Sequence, residues 1–162
     1  MTTVQFSKET SIRISDTPFT ASTDGYETNH IFDSFTPSFG WETVEWQAIA
    51  DEFRKTLVSQ ATHTISSSFF MLKGDTTYDS QFRLLIKQIT SQKAGTGKEF
   101  YVLFLPYGNS GIPSEKLMDG YMFKVVATSV VDTKTAGEIN KKTMDMSVQD
   151  LIDIEDPELN FA

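Results

Sequence analysis

The stretch Asp79–Thr90, DSQFRLLIKQIT, decides the fold predicted for this chain. Its large apolar residues follow the i, i+3, i+4, i+7 spacing of one face of an α-helix: Phe82, Leu85, Ile86 and Ile89. The sequence on either side of it alternates with a period of two, which is typical of β-strands. One short helix covers only one face of a sheet, so we expect the other face to meet water or another subunit.

Four strand-like runs flank the helix. Thr62–Lys73 precedes it, and Phe100–Leu105 follows it as a continuous apolar run, which predicts a strand covered on both faces. Tyr121–Val131 and Glu138–Val148 predict a hairpin whose turn lies at Thr133–Gly137. The chain is therefore predicted to be mainly β with one short α-helix.

Two of these runs carry a polar face. In the first run, Thr64, Ser66 and Ser68 alternate with Ile65, Ser67 and Phe69. The last run places three apolar residues on one face, Met144, Met146 and Val148, and four polar residues on the other, Lys141, Thr143, Asp145 and Ser147. Both patterns predict a sheet with one solvated face.

The region 1–46 has less regular patterning. Asp16–Gly40 is rich in Thr, Ser, Asp, Pro and Gly, which favours turns, but it also carries several aromatic residues. We expect an extended arm or long loop whose aromatics are buried by the fold or by another subunit. The whole chain, 1–162, is predicted to be one domain, with a β-rich core over 47–150, a helix near 78–90 and an acidic C-terminal tail over 151–162.

Composition and motifs point away from catalysis. The 162 residues are 39% hydrophobic and 12% aromatic and include no cysteine, so disulfides and Cys-ligated metal sites are excluded. His30 and His63 do not have zinc-site spacing, and no GxSxG motif occurs. Gln92–Lys98 superficially matches a phosphate loop, but it follows a helix and precedes a strand, which is the wrong order. No enzyme activity, metal or cofactor is predicted.

The net charge of −8 argues against a nucleic-acid-binding protein, because such proteins present basic patches to phosphates. Six acids and no Lys or Arg occur from Asp145 onward: Asp145, Asp150, Asp153, Glu155, Asp156 and Glu158. This end of the chain is either a solvated terminus or a surface that repels polyanions or docks on a basic neighbour.

The order of these elements resembles the major tail, or tail-tube, proteins of long-tailed bacteriophages. The resemblance covers about two-thirds of the chain and rests on segment order rather than on one motif. The segments are Phe39–Trp46, Arg54–Val58, Thr62–Phe69, the Gly74–Asp75 break, the helix, Phe100–Leu105, and Asp119–Gly120 before the hairpin.

The resemblance implies a β-sandwich or barrel-like subunit that forms hexameric rings, stacked into the tube through which DNA is ejected. It implies a virion tail protein that is assembled in the host cytoplasm. The expected partners are copies of itself and the tape measure, terminator and distal tail proteins, with DNA passing without specific binding and no membrane. A tube protein of a contractile secretion or injection system is an alternative. From another class, a small-ligand-binding β-barrel is a second alternative.

Two groups of residues are candidates for assembly. The residues expected at the lumen or a subunit seam are Lys141, Thr143, Asp145 and Ser147. The residues expected at a subunit interface are Phe32, Phe35, Phe39, Trp41 and Trp46. For the aromatic group, burial in the subunit's own core is the competing interpretation.

Overall fold

A computed structural model describes residues 11–19, 25–28, 32–70, 77–105, 120–138 and 140–152. The described chain forms nine strands and one helix in the order β1–β6, α1, β7–β9. The strands are β1 Ser11–Ser15, β2 Tyr26–Glu27, β3 Phe32–Ser38, β4 Trp41–Trp46, β5 Lys55–Ala61, β6 Thr64–Phe70, β7 Glu99–Leu105, β8 Tyr121–Thr133 and β9 Lys141–Ile152; the helix is α1 Thr77–Thr90.

Seven strands form one sheet in the order β2-β1-β7-β8-β9-β6-β3, and every neighbouring pair is antiparallel. The pair β4-β5 forms a separate two-stranded sheet. The long β8-β9 hairpin turns after Thr133, where Gly137 adopts a positive φ of 81°. The predictions of a mainly β fold, of the helix and of this hairpin are confirmed.

Helix α1 packs on one face of the seven-stranded sheet through the residues that the periodicity predicts. Phe82, Leu85, Ile86 and Ile89 are all at most 4% exposed. They join a core with alternate residues of the strands beneath them, Ile14, Ile65, Phe69, Phe100, Val102, Phe123, Val125, Met144 and Met146 among them. Burial of each large apolar side chain contributes about 1.5–3 kcal/mol before the cost of conformational entropy.

The opposite face of the sheet is also covered at its β1-β7-β8 end. Phe19 is 1% exposed and packs with Leu103, Leu105 and Met122 in a second, smaller core. Strand β7 is therefore covered on both faces, as its continuous apolar run predicts. The expectation that the face opposite the helix meets only water or another subunit is wrong at this end, because the segment after β1 folds back over it.

Aromatic contacts curl the sheet and bring β3 towards β7 and β8. The rings of Phe35 and Phe104 stack with centroids 5.4 Å apart, and Phe39 lies 5.1 Å from Tyr121. The rings of Phe32 and Phe82 are 6.0 Å apart, so α1 also contacts the curled edge. The result is a half-barrel whose concave side is filled by the helix and by aromatic rings.

The region 1–46 is more regular than its composition suggests. The loop expected over Asp16–Gly40 contains strands β2 and β3, and β3 is an edge strand of the main sheet. Turn-forming residues do not prevent this, since Pro37 lies on an edge strand, where a missing N–H is tolerated. Residues 1–10, residues 106–119 after β7, His30, Asp75 and the acidic segment 153–162 lie outside the described residues.

Candidate assembly surfaces

The solvated side of β3, β6 and β9 forms a surface of small hydroxyl residues, which we call the hydroxyl face. In this antiparallel register Ser66 lies between Thr36 on one side and Asp145 on the other. The members of the hydroxyl face are Ser34, Thr36, Ser38, Thr64, Ser66, Ser68, Thr143, Asp145 and Ser147. Most of them are exposed, with Ser147 half-buried and Ser68 buried.

Strict alternation in the sequence produces this face. Ile65 and Phe69 of β6 point into the core, and Ser67 between them donates a hydrogen bond from Oγ to the Met144 carbonyl oxygen at 2.9 Å. The inward hydroxyl is thus satisfied, while the residues between these positions face outward. The predicted polar side of Lys141, Thr143, Asp145 and Ser147 lies opposite the helix, on this surface.

The charges around the hydroxyl face nearly cancel. Lys141 Nζ lies 2.9 Å from the Asp33 carboxylate and 5.9 Å from the Phe70 ring. This leaves the Asp145 carboxylate, which forms no ion pair with any residue that the structure describes. The surface therefore presents hydroxyl groups, one net negative charge and no free ammonium group.

The second surface is the β4-β5 hairpin with its connecting turn, residues 41–61, which we call the apolar hairpin. Every residue of both strands is exposed, including large apolar side chains on both faces. These are Trp41, Val44, Trp46, Ile49, Phe53, Leu57 and Val58, between 48% and 107% exposed. Apolar exposure of this kind is typical of protein–protein interfaces, which makes the hairpin a candidate interface.

Polar contacts hold the apolar hairpin in shape and anchor its base. Arg54 pairs with Glu45 at 3.2 Å, and Lys55 Nζ lies 4.9 Å from the Trp46 ring. At the base, the Gly40 N–H donates to Nδ1 of His63 at 3.3 Å. The His63 ring also packs edge-on against Trp41, with centroids 5.1 Å apart. His63 therefore joins the apolar hairpin to β6.

The five aromatics predicted for an interface fall in three places. Phe32 and Phe35 are half-buried and pack against the core, as the competing interpretation expects. Phe39 is 37% exposed and lies between the His63 and Tyr121 rings at the base of the apolar hairpin. Trp41 and Trp46 are about half exposed and belong to the apolar hairpin itself.

Sequence reasoning missed four residues of the apolar hairpin: Ile49, Phe53, Leu57 and Val58. Leu57 and Val58 do lie in a segment that contributes to the tail-tube resemblance. For Leu57 and Val58, the available sequence signal was their place in that segment. The structure shows the segment as part of strand β5, which pairs with β4.

Other chemistry on the described surface is limited. No group of three or more His, Cys, Asp or Glu side chains is arranged to hold a metal within the described part of the chain. Among the same residues, no helix is long and apolar enough to cross a membrane. On the sheet, a hydrogen bond and the charge of Glu99, 3.2 Å away, raise the pKa of Lys124.

Solved structures with this fold include chains from tail tubes and from contractile injection systems. A chain of the tail of an empty gene transfer agent particle, which has C6 symmetry, superposes with a TM-score of 0.59 and 17% identity, covering 92% of this chain and 98% of that one. The SPP1 tail tube gives a TM-score of 0.63 and 7% identity, covering 92% and 78%. A chain of the PVC extracellular contractile injection system, in its extended sheath–tube complex, gives 0.59 and 11%, covering 92% and 90%.

No protein-family model and no curated protein sequence matches the chain. The identities to the solved structures are low, so the likeness is one of fold. At that level, the resemblance to tail-tube proteins is confirmed.

Proposed function

We propose that this chain is a structural subunit that polymerises as stacked hexameric rings into a bacteriophage tail tube, the conduit for DNA ejection. The observation that carries the proposal is the hydroxyl face, which lies opposite α1 on a sheet with the fold of tube proteins. A tube wall needs one face that meets an aqueous channel and another that is packed, and this sheet has both. The C6 symmetry of the gene transfer agent tail supports six subunits per ring.

The hydroxyl face lines the channel in this proposal. Phosphate groups are bound by Lys, Arg and helix N-termini, whereas small hydroxyl groups and one unpaired carboxylate hold them weakly. The ion pair between Lys141 and Asp33 removes the one ammonium group that would otherwise attract DNA to this surface. The surface thus suits passage of DNA without retention.

The apolar hairpin contacts a neighbouring subunit. Its Trp41 and Trp46 side chains have the residue type that is enriched at the centres of protein interfaces. Phe39 lies at the base of the hairpin and extends the same surface. Burial of both hairpin faces by neighbours removes a large apolar area from water.

The remaining assignments follow from this role. The protein acts without catalysis, in the virion tail, and assembles in the host bacterial cytoplasm. Its partners are copies of itself and the tape measure, terminator and distal tail proteins. A tube of a contractile injection system is the second candidate, favoured by the likeness to the PVC sheath–tube complex.

A small-ligand-binding barrel is disfavoured because aromatic rings fill the concave side of the sheet. Phe69 lies 5.4 Å from Phe32 and 5.1 Å from Phe82, and Phe35 stacks on Phe104. Side chains packed at these distances occupy the space in which a barrel would hold its ligand.

Negative-stain electron microscopy of the concentrated protein, paired with its solution mass, tests the proposal. Rings of six subunits or hollow tubes are expected. A monodisperse monomer at every concentration, both alone and with fragments of assembled tail tubes as seeds, would contradict it.

A further inference from the structure

A basic cleft lies between α1 and the turn of the β8-β9 hairpin. It has a volume of about 530 Å³ and is floored by Ile86. Four of the chain's 14 basic residues line it, Arg83, Lys87, Lys134 and Lys142, together with a single acid, Asp132. This local excess of positive charge contrasts with the net charge of −8 of the whole protein.

The basic residues of the cleft lack enough acidic partners. Lys142 and Lys134 share Asp132, at 3.1 and 4.0 Å. Arg83 and Lys87 are exposed, lie one helical turn apart and pair with no acid among the described residues. Like charges at i and i+4 oppose helix formation, so this arrangement favours an anionic ligand.

The chain contains an acidic segment that suits the cleft. Residues 153–162, DIEDPELNFA, carry four carboxylates and no Lys or Arg. They also carry Ile154, Leu159 and Phe161, which can contact the apolar floor at Ile86. Charge complementarity of this kind selects partners and steers their encounter.

Distance prevents the segment from filling the cleft of its own subunit. Strand β9 starts beside the cleft at Lys141 and ends at Ile152, so its 12 residues span about 37 Å. Glu158 is the last acid of the segment, and at about 3.5 Å per residue it reaches roughly 20 Å beyond Ile152. The four carboxylates of one chain therefore cannot together reach the cleft of that chain.

We propose that the basic cleft binds the acidic segment 153–162 of a second copy of this chain. This inference rests on the proposed polymerisation, and it specifies how one subunit is oriented relative to the next. The β9 end of one subunit faces the β8-β9 turn of the next, so contacts run head to tail. Such contacts do not close between two subunits, which is the requirement for a growing tube.

A binding experiment that needs no tubes tests the cleft directly. The probe is a fluorescein-labelled peptide of residues 150–162. The protein is the full chain with its own segment neutralised by Asp153→Asn, Glu155→Gln, Asp156→Asn and Glu158→Gln. We expect saturable binding by fluorescence anisotropy that Lys87→Glu weakens at least fivefold.

Lys93→Glu is the matched control, because Lys93 is exposed just beyond the same helix but does not line the cleft. Circular dichroism checks that both variants are folded. Equal weakening by the two variants, or no binding of the peptide, would overturn the proposal. So would tighter binding of a short DNA duplex to the same cleft.

Carbodiimide cross-linking of a mixture of ¹⁴N- and ¹⁵N-labelled protein tests the contact in assembled material. The pair Lys142–Asp132 is an internal positive control for coupling within a chain. Isotopically mixed links between Lys87 or Lys134 and Glu155 or Glu158 are expected. Tubes without such links would refute the cleft contact and leave the proposed function standing. Peptide binding by a protein that forms no tubes would support the cleft contact and contradict the proposed function.

Discussion

At the scale of the residue, Asp145 sets the charge of the hydroxyl face. It is exposed, and Lys141 is already paired with Asp33, so the surface has one net negative charge. Because the side chain contacts solvent, replacing it should change the free energy of unfolding by less than about 0.5 kcal/mol. We expect the replacement to change the binding of DNA in the proposed channel rather than the stability of the fold.

If the hydroxyl face lines the channel as proposed, Asp145→Lys should make that channel retain DNA. Each subunit of a ring adds the same charge, and phosphate binding by a ring of ammonium groups depends steeply on salt. The measurement is retention of a labelled DNA by assembled tubes at low and high salt. Glu138→Lys, which makes the same charge change in the exposed β8-β9 turn, is the control, and equal retention by both variants would contradict the assignment of the hydroxyl face.

His63 fixes the base of the apolar hairpin through one acceptor nitrogen. His63→Phe keeps a ring beside Phe39 and Trp41 but removes the acceptor for the Gly40 N–H. We expect faster hydrogen exchange of the Gly40 amide, and protection restored by His63→Asn, whose side-chain oxygen accepts a hydrogen bond. Unchanged exchange in His63→Phe would show that the hairpin is held by other contacts.

At the scale of the element, α1 shows how much the spacing of apolar residues in the sequence can predict. The spacing of its apolar residues predicts the helix and the residues that it buries, because only one face can meet the sheet. The continuous run of β7 likewise predicts cover on both faces. Both patterns work because burial in these elements is decided within the subunit.

Two adjacent leucines of α1 test the difference between its buried face and its exposed face. Leu85 is 1% exposed, whereas Leu84 is 61% exposed. Leu85→Ala should lower the free energy of unfolding by about 2–5 kcal/mol, because it removes buried methyl groups and leaves a cavity. Leu84→Ala should change it by less than about 0.5 kcal/mol. Chemical denaturation of the two variants gives the comparison, and similar losses would contradict the packing of α1.

The apolar hairpin is the element that pattern reading describes poorly. In Gly40–Asp51 the alternation does not separate two faces, because both faces of the hairpin are apolar and exposed within one subunit. In β1, by contrast, Ile12 and Ile14 alternate with polar residues as a strand requires, although all five residues are buried. Alternation with period two usually arises when one face of a strand is solvated and the other is buried. It therefore does not identify the strands of the apolar hairpin, whose two faces have the same environment.

The apolar hairpin should be needed for assembly but not for folding. Val44→Ser combined with Trp46→Ser removes apolar area that touches little of its own subunit. We expect native-like circular dichroism and loss of rings and tubes in electron microscopy. Leu84→Ser, an exposed apolar residue on α1, is the control. Normal tubes from the double variant would place the subunit interface elsewhere.

At the scale of the whole molecule, assembly explains features that a monomer leaves without a purpose. A curled sheet has a packed concave side and a polar outer face, and a hairpin exposes apolar residues on both of its sides. The basic cleft lies at one end of the long β9 strand, and the acidic segment begins at the other. In the proposed tube, the polar face meets the channel, while neighbouring copies cover the apolar hairpin and fill the basic cleft.

A helical reconstruction of the assembled protein by cryo-electron microscopy tests most directly which face of the sheet lines the channel. We expect rings of six subunits in which β3, β6 and β9 surround the lumen and Ser66 and Asp145 face the channel. Helix α1 should lie on the side of the sheet away from the lumen. A reconstruction in which α1 lines the channel, or in which the hydroxyl face is buried between rings, would contradict the account.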